Sequence, residues 1–155
     1  MDGIVIVGGA GVFLALVYVL YRPRRLRFHA CPALLTKGEQ PFYRILKRAA
    51  PGYDICPKVR VADIINCDPV TWKAGGWRVA TWHIDFVLID PRSADIKICI
   101  ELDDKAQALP KRRARDAFLN NAMRRAGVRL LRIPQRRYTP DQLKAILAQA
   151  DSNAA

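Results

Sequence analysis

The sequence predicts an α/β domain, behind an apolar N-terminal helix, in which one helix precedes three strands, a helix, a strand and a last helix. A chain of 155 residues is long enough for one domain with a hydrophobic core. Apolar residues recur at helical spacing after Gly38, Pro110 and Thr139, and shorter apolar runs lie between these segments. The order of these patterns gives an αβββαβ core with one further helix.

The N-terminal run 4–21 contains no charged side chain. As a helix it would span ~27 Å, close to the ~30 Å hydrocarbon core of a bilayer. Arginines follow directly, and the positive-inside rule then places the N-terminus outside and the remaining chain in the cytoplasm. We therefore expect a single-pass protein of a bacterial-type inner membrane. The predicted divisions are a transmembrane anchor at 1–21, a basic linker at 22–35, a domain at 36–150 and a disordered tail at 151–155.

The first helix of the domain is expected to begin near Gly38 and to end before Pro51-Gly52. Glu39 has two interpretations there: it completes a T-x-x-E capping box with Thr36, or it is a site residue. The next predicted elements are a strand at 53–61, a helical turn at 62–67, a loop at 68–81, a helix from Pro110 to Gly127, a strand at 128–133 and a helix from Thr139. Two tryptophans in the loop either cover the core edge or stack on bases.

The functional prediction depends on residues 82–104, where two apolar runs flank a turn containing Pro91 and Ser93. This pattern is typical of a β-hairpin. In a hairpin symmetric about Ser93, opposed Cβ atoms lie ~4.5–5.5 Å apart. The predicted pairs are Asp85 with Glu101 and His83 with Asp103 on one face, and Ile84 with Leu102, Phe86 with Ile100 and Leu88 with Ile98 on the other. Three carboxylates and a histidine then converge, and their repulsion calls for a cation.

The formal net charge of +12 favours an anionic partner, either nucleic acid or an anionic membrane surface. The four cysteines form no CxxC pair, so a zinc site is not indicated. Basic residues are dense after the hairpin and suit contacts with a phosphate backbone. Those predicted to bind nucleic acid are Lys111, Arg112, Arg113, Arg115, Arg124 and Arg132.

Carboxylates crowded on one sheet face allow three interpretations: a divalent metal site, a carboxyl acid–base pair, or a structural network with Arg113 or Arg132. A glycosidase-type pair needs ~5–10 Å between its carboxyl groups and a sugar cleft, which the basic chain does not favour. Metal-assisted phosphodiester hydrolysis accounts for both the acidic cluster and its basic surroundings, because Mg²⁺ or Mn²⁺ binds carboxylate and phosphate oxygens alike.

Asp85 followed by Glu101-Leu102-Asp103 on a hairpin, with a helix and a strand after it, resembles the PD-(D/E)XK nuclease superfamily. The stretches GEQPFYRIL, HIDFVLID, IELDD, KRRARD and AGVRLLRIP resemble the domain of unknown function 2726 family more closely. Very-short-patch-repair endonucleases are more distantly similar. The resemblance implies a restriction-endonuclease-like αβββαβ core, with a mixed sheet flanked by helices.

The resemblance also implies roles for individual residues. Asp85 and Glu101 would hold the metal, and Glu39 would add a carboxylate from the first helix. Asp103 stands where many superfamily members carry a lysine, and we include it in the catalytic set. Asp116 would orient the site from the following helix.

Gln107 departs from the pattern, because a histidine is expected at its position in this branch. Glutamine hydrogen-bonds water or phosphate but takes no proton near neutral pH. His83 is a candidate substitute beside the carboxylates. We expect a membrane-anchored, Mg²⁺-dependent nuclease-like protein that hydrolyses nucleic-acid phosphodiesters, with DNA favoured. The alternative is a catalytically inactive nucleic-acid-binding module tethered to the membrane.

Overall fold

A computed structural model describes Phe13 and residues 16–18, 27–103 and 110–152, apart from the side chains of 110–112 and 151–152. The chain divides into two compact units, Met1–Pro32 and Ala33–Ala155. In the first unit, Phe13 and residues 16–18 are helical, and residues 27–32 form neither helix nor strand.

The prediction of a transmembrane helix is contradicted within the part of the chain that the structure describes, where no helix is long and apolar enough to cross a bilayer. Most of the run 4–21 lies outside that part. On this finding the predicted anchor and the single-pass inner-membrane topology are not supported.

The second unit is built on a four-stranded sheet in the order β1 (Asp54–Arg60), β2 (His83–Ile89), β3 (Ile96–Asp103) and β4 (Leu130–Pro134). Its first two strand pairs are antiparallel, and β3 pairs with β4 in parallel. The turn between β2 and β3 is closed by Asp90, whose Oδ1 accepts hydrogen bonds from the N–H groups of Arg92 and Ser93. The predicted α/β class with a mixed sheet is confirmed.

Three longer helices cover the sheet: α1 (Glu39–Ala49), α3 (Pro110–Arg125) and α4 (Pro140–Ser152). On one face, α1 and α4 contribute Phe42, Leu46, Leu143 and Leu147 to a core with Phe86, Leu88, Ile98, Ile100 and Leu102. On the other face, α3 contributes Leu119 and Met123 to a core with Val61, Val79, Ile84, Val87 and Cys99. The second unit therefore has three layers, with the sheet in the middle.

The predicted loop at 68–81 is instead mostly helical. It contains α2 (Pro69–Lys73) and a 3₁₀ helix at Gly76–Thr81, after a first 3₁₀ helix at Val61–Asp63. Asp68 begins α2, because its Oδ1 accepts hydrogen bonds from the N–H groups of Val70 and Thr71, at 2.8 and 2.9 Å. An aspartate before a proline at the first helical position is a helix-start pattern, and the sequence analysis overlooked it.

The strands β2 and β3 separate at one end, and this separation positions the candidate site. Their paired residues include Leu88 with Ile98 and Phe86 with Ile100, as predicted, and the ladder stops there. Beyond that point β2 continues along β1 to the Arg60–His83 pair, and β3 continues along β4 to the Asp103–Pro134 pair. The sheet is thus split between its two central strands.

The predicted pair of Ile84 with Leu102 is wrong. Ile84 packs in the core under α3, whereas Leu102 packs in the core under α1 and α4. Since Ile84 and Val87 share a face, the alternation of β2 is broken between them, at Asp85 and Phe86. The break turns Asp85 towards α1, where it meets Lys58 and Glu39 in one polar cluster.

Asp68→Ala is expected to lower the free energy of unfolding by about 1 kcal/mol, because it removes the side chain that caps α2. Asp68→Asn keeps an equivalent acceptor and is the matched control, with stability close to that of the native chain. Urea unfolding of the three proteins measures the difference. Equal stability of Asp68→Ala and Asp68→Asn would contradict this account of the helix start.

Candidate functional site

A cavity of about 620 Å³ lies where β2 and β3 separate. It is lined by residues of α1, of the strands β1, β2 and β3, and of α3. The predicted site residues Glu39, His83, Asp85, Glu101 and Arg115 all contribute to its wall. The predicted segments therefore do come together in the structure, although several of the predicted contacts differ.

Glu39 serves as helix cap and site residue at once. Its Oε2 accepts the N–H of Thr36 at 2.9 Å, and its own N–H donates to Thr36 Oγ1 at 3.3 Å, which is a complete capping box. Its Oε1 accepts a hydrogen bond from Lys58 Nζ at 2.6 Å. Burial raises the pKa of Glu39, but the hydrogen bonds from Lys58 and Thr36 outweigh it and lower the pKa below the usual value.

Lys58 is the residue of the site that the sequence analysis missed. Its ammonium lies 2.6 Å from Glu39 Oε1 and 2.7 Å from Asp85 Oδ1, and its side chain is only 27% exposed. Burial lowers the pKa of Lys58, but the hydrogen bonds to both carboxylates raise it overall. The cation that the carboxylates were predicted to need is therefore, in part, supplied by the chain itself.

The backbone of Lys58 has a φ of 56°, a left-handed conformation that is uncommon for a residue with a side chain. Such conformations cost of order 1–3 kcal/mol and persist where the surroundings hold them. Cys56 and Val59 both pack against the core under α3, so the alternation of β1 is broken at Lys58. A charged residue inside an otherwise apolar strand was the available sequence signal, but alternation does not predict this break.

Asp85 connects the two strands that separate. Its Oδ1 accepts a hydrogen bond from Lys58 Nζ, and its Oδ2 accepts one from the backbone N–H of Leu102 at 3.0 Å. The β2–β3 ladder ends at Phe86 and Ile100. Just beyond that point, the backbone N–H of Leu102 in β3 therefore donates to a side chain of β2 instead of to its backbone. This contact fixes the width of the gap between the strands.

Glu101 lies beside Asp85 but has a different environment. Its Oε1 is buried and has no hydrogen-bond partner among the residues that the structure describes. Burial, followed by the negative charge of Asp85, raises the pKa of Glu101 to about 7, against the opposing effects of Arg132 and Arg115. An unpaired buried carboxyl oxygen is costly in free energy, and the raised pKa of Glu101 reflects that cost.

Asp103 and Asp116 belong to a second ionic cluster on the α3 side of the sheet. Arg132 donates to Asp103 Oδ1 at 2.8 Å, to Asp116 Oδ1 at 3.2 Å and to Asn120 Oδ1 at 2.9 Å. This is the arginine network that the sequence analysis held open as an alternative. Arg132 is therefore engaged within the protein, and its predicted contact with nucleic acid would compete with two carboxylates.

The other predicted residues fall into four groups. His83 is exposed at the cavity rim and pairs with Arg60 across β1 and β2. Arg115 stacks on Trp82, with its guanidinium carbon 5.3 Å from the ring centroid. Arg113 and Arg124 are exposed on α3, which suits contact with a polyanion. Gln107 and the side chains of Lys111 and Arg112 lie outside the described residues.

The donor set fits a hard cation in part. Among the described residues, no group of three or more aspartate, glutamate, histidine or cysteine side chains is arranged to hold a metal ion. Mg²⁺, however, is commonly bound through one or two carboxylates together with water and substrate phosphate. Asp85 and Oε1 of Glu101, which has no hydrogen-bond partner among the described residues, would supply two such carboxylates once Lys58 Nζ, 2.7 Å from Asp85 Oδ1, gives way to the ion.

A comparison with protein families supports the domain assignment. The model of the family described as "Protein of unknown function (DUF2726)" matches residues 32–150, and the chain belongs to this family. No curated protein and no solved structure matches the chain. The match confirms the family that the sequence motifs resemble and leaves the activity to be argued from the site.

Glu101→Gln is expected to stabilise the protein at pH 8 by at most roughly 3 kcal/mol, the free energy that corresponds to a pKa of about 7 instead of 4.5. Because the folded state holds this proton more tightly, the native chain loses stability as pH rises from about 4.5 to about 7. The neutral amide removes that loss. Urea unfolding in EDTA at pH 5, 6, 7 and 8 measures it.

Glu39→Gln is the matched control, since it makes the same substitution in the same cavity. The pKa of Glu39 is lowered in the folded state, so its contribution to stability is present above about pH 4.5 and is lost as pH falls. Glu39→Gln should therefore destabilise the protein at pH 8. A stabilising Glu39→Gln, or a Glu101→Gln that keeps the pH dependence of the native chain, would contradict the assigned environments.

Proposed function

We propose that this DUF2726-family chain is a metal-dependent hydrolase of nucleic-acid phosphodiester bonds, with a restriction-endonuclease-like domain of the PD-(D/E)XK kind. One observation carries the proposal. Asp85 and Glu101, from neighbouring strands, line the same cavity where the sheet splits, and Glu101 has a buried carboxyl oxygen without a partner among the described residues. A carboxyl group with a raised pKa in a cavity, as at Glu101, is typical of functional sites.

The chemistry of the donors favours Mg²⁺ or Mn²⁺. Asp85 and Glu101 would hold the ion, which would act as a Lewis acid and lower the pKa of a bound water molecule. In hydrolysis the oxygen of water bonds to phosphorus and loses a proton, one ester P–O bond breaks, and the departing sugar oxygen gains a proton to leave as a hydroxyl group. Asp85 keeps its orientation through the N–H of Leu102, and Glu39 is held in place by its capping box.

The charge of the chain favours a polyanionic substrate. The net charge is +12, and Arg115 lines the cavity while Arg113 and Arg124 are exposed on the same helix. Cations at such positions bind a phosphate backbone without reading sequence. Trp72 and Trp77 are 44% and 51% exposed, which leaves both rings accessible for stacking on unpaired bases.

A second candidate function is a nucleic-acid-binding module without activity, and the ionic contacts favour it. Lys58 already compensates Glu39 and Asp85, and Arg132 already compensates Asp103 and Asp116. Gln107 stands at the position where a proton-accepting histidine is expected. Binding by the basic surface requires none of these carboxylates to hold a metal.

The full chain is expected to cleave DNA in the presence of Mg²⁺ or Mn²⁺ and not in EDTA. Asp85→Asn should lower the rate at least ~100-fold, because even residues that only support a metal ligand cost roughly 10–100-fold. Asp95→Asn, the same substitution at an exposed turn residue, is the matched control and should cleave at the native rate. Single-stranded, duplex and mismatched DNA and RNA are compared by gel electrophoresis.

Two outcomes would contradict the proposed hydrolase activity at this site. Metal-dependent cleavage that survives Asp85→Asn would place the activity elsewhere. Binding to nucleic acid without cleavage, under every metal condition, would support the inactive module instead.

A further inference from the structure

We propose that Lys58 couples the binding of a divalent cation to the binding of nucleic acid. The ammonium of Lys58 is hydrogen-bonded to the carboxylate of Asp85, which the cation would need as a ligand. A substrate phosphate would give the ammonium an alternative hydrogen-bond acceptor. The inference rests on the proposed function and adds to it a means by which the site responds to its substrate.

The first step is that Lys58 and a metal ion compete. Lys58 Nζ lies 2.7 Å from Asp85 Oδ1, and the other oxygen of Asp85 accepts the N–H of Leu102. Each carboxylate oxygen of Asp85 therefore already accepts one hydrogen bond. A divalent ion beside Asp85 would face the positive ammonium at contact distance, in a cavity where water screens the repulsion incompletely. Binding of the ion therefore requires the ammonium to withdraw.

The second step is that the ammonium can withdraw without disrupting the fold. The left-handed backbone of Lys58 brings the side chain into the cavity wall, and its four-carbon stem is flexible. The side chain is 27% exposed, so it already reaches solvent. Glu39 would keep its capping box with Thr36 after losing Lys58, because that box uses the other carboxylate oxygen and the backbone N–H.

The third step is that a phosphate supplies the alternative partner. An ammonium and a phosphate oxygen form a strong, charge-assisted hydrogen bond. Arg115 lines the same cavity and adds a second positive charge for a phosphate there. A phosphate that draws Lys58 away frees Asp85 for the ion, and an ion that displaces Lys58 frees it for the phosphate. By linkage, each ligand then strengthens the binding of the other by the same factor.

The experiment measures Mn²⁺ affinity of the full chain from the electron paramagnetic resonance signal of free Mn²⁺, with and without a phosphorothioate single-stranded oligonucleotide that resists hydrolysis. In the native chain the oligonucleotide should tighten Mn²⁺ binding by about 5-fold or more. Without oligonucleotide, Lys58→Met should bind Mn²⁺ about 10-fold more tightly than the native chain, and the oligonucleotide should then change this affinity less than about 2-fold.

Lys58→Arg is the matched control, since it keeps the charge and should retain weak Mn²⁺ binding in the absence of oligonucleotide. Lys58→Gln keeps N–H donors for both carboxylates without the charge. It should behave as Lys58→Met and replaces it if circular dichroism shows that the methionine variant does not fold.

The outcomes separate this inference from the function on which it rests. If the native chain binds Mn²⁺ as tightly as Lys58→Met and Lys58→Gln do, or more tightly, the proposed role of Lys58 is wrong. The proposed metal site would be unaffected by that result. No Mn²⁺ binding by any of these proteins, with or without oligonucleotide, would overturn the proposed metal-dependent function as well.

Discussion

The two hydrogen bonds of the Lys58 ammonium are the interaction on which the rest of the site depends. They join the first turn of α1 to β1 and β2, through Glu39 and Asp85. Without this positive charge, two carboxylates from different elements would share one small polar region and repel each other. The irregular backbone of β1 at Lys58 and the break in β2 next to Asp85 both place side chains for this contact.

The acidic cluster is consequently divided into parts with different electrostatic character. Lys58 compensates the carboxylates that face α1, and Arg132 compensates those that face α3. Within the described part of the chain, Oε1 of Glu101 has no hydrogen-bond partner. Burial and the negative charge of Asp85 raise the pKa of Glu101 to about 7. Each cluster has two carboxylates for one cationic side chain, so both keep an excess of negative charge. The raised pKa of Glu101 reflects that excess where it is nearest, at Asp85.

Much of this architecture follows from local sequence patterns. The hairpin register at Phe86 and Leu88 is predicted because apolar residues alternate and the turn is marked by proline and polar residues. The helix boundaries near Glu39 and Pro110 follow from caps and spacing. The arginine network was one of the alternatives weighed, and the structure assigns it to Arg132.

The remainder depends on tertiary contacts that alternation does not encode. A period of two residues cannot predict a left-handed lysine in a strand, so Lys58 is not among the predicted site residues. For the same reason Ile84 was expected on the sheet face of Phe86 and Leu88, whereas it packs on the opposite face, under α3. Glu39 posed a different difficulty, because capping and site roles were treated as alternatives although its two oxygens serve one role each. The uncharged run at 4–21 matched a membrane span by length and composition, and the described part of the chain contains no helix of that kind.

The central claim is that Asp85 and Glu101 form a metal site from which Lys58 must withdraw. The most direct measurement is an anomalous difference map from crystals of the full chain grown with Mn²⁺ and a phosphorothioate oligonucleotide. The account predicts a peak bridging the carboxylates of Asp85 and Glu101, with Lys58 Nζ moved from Asp85 to a phosphate oxygen. A map without a peak at these carboxylates, with Lys58 still bound to Glu39 and Asp85, would contradict it.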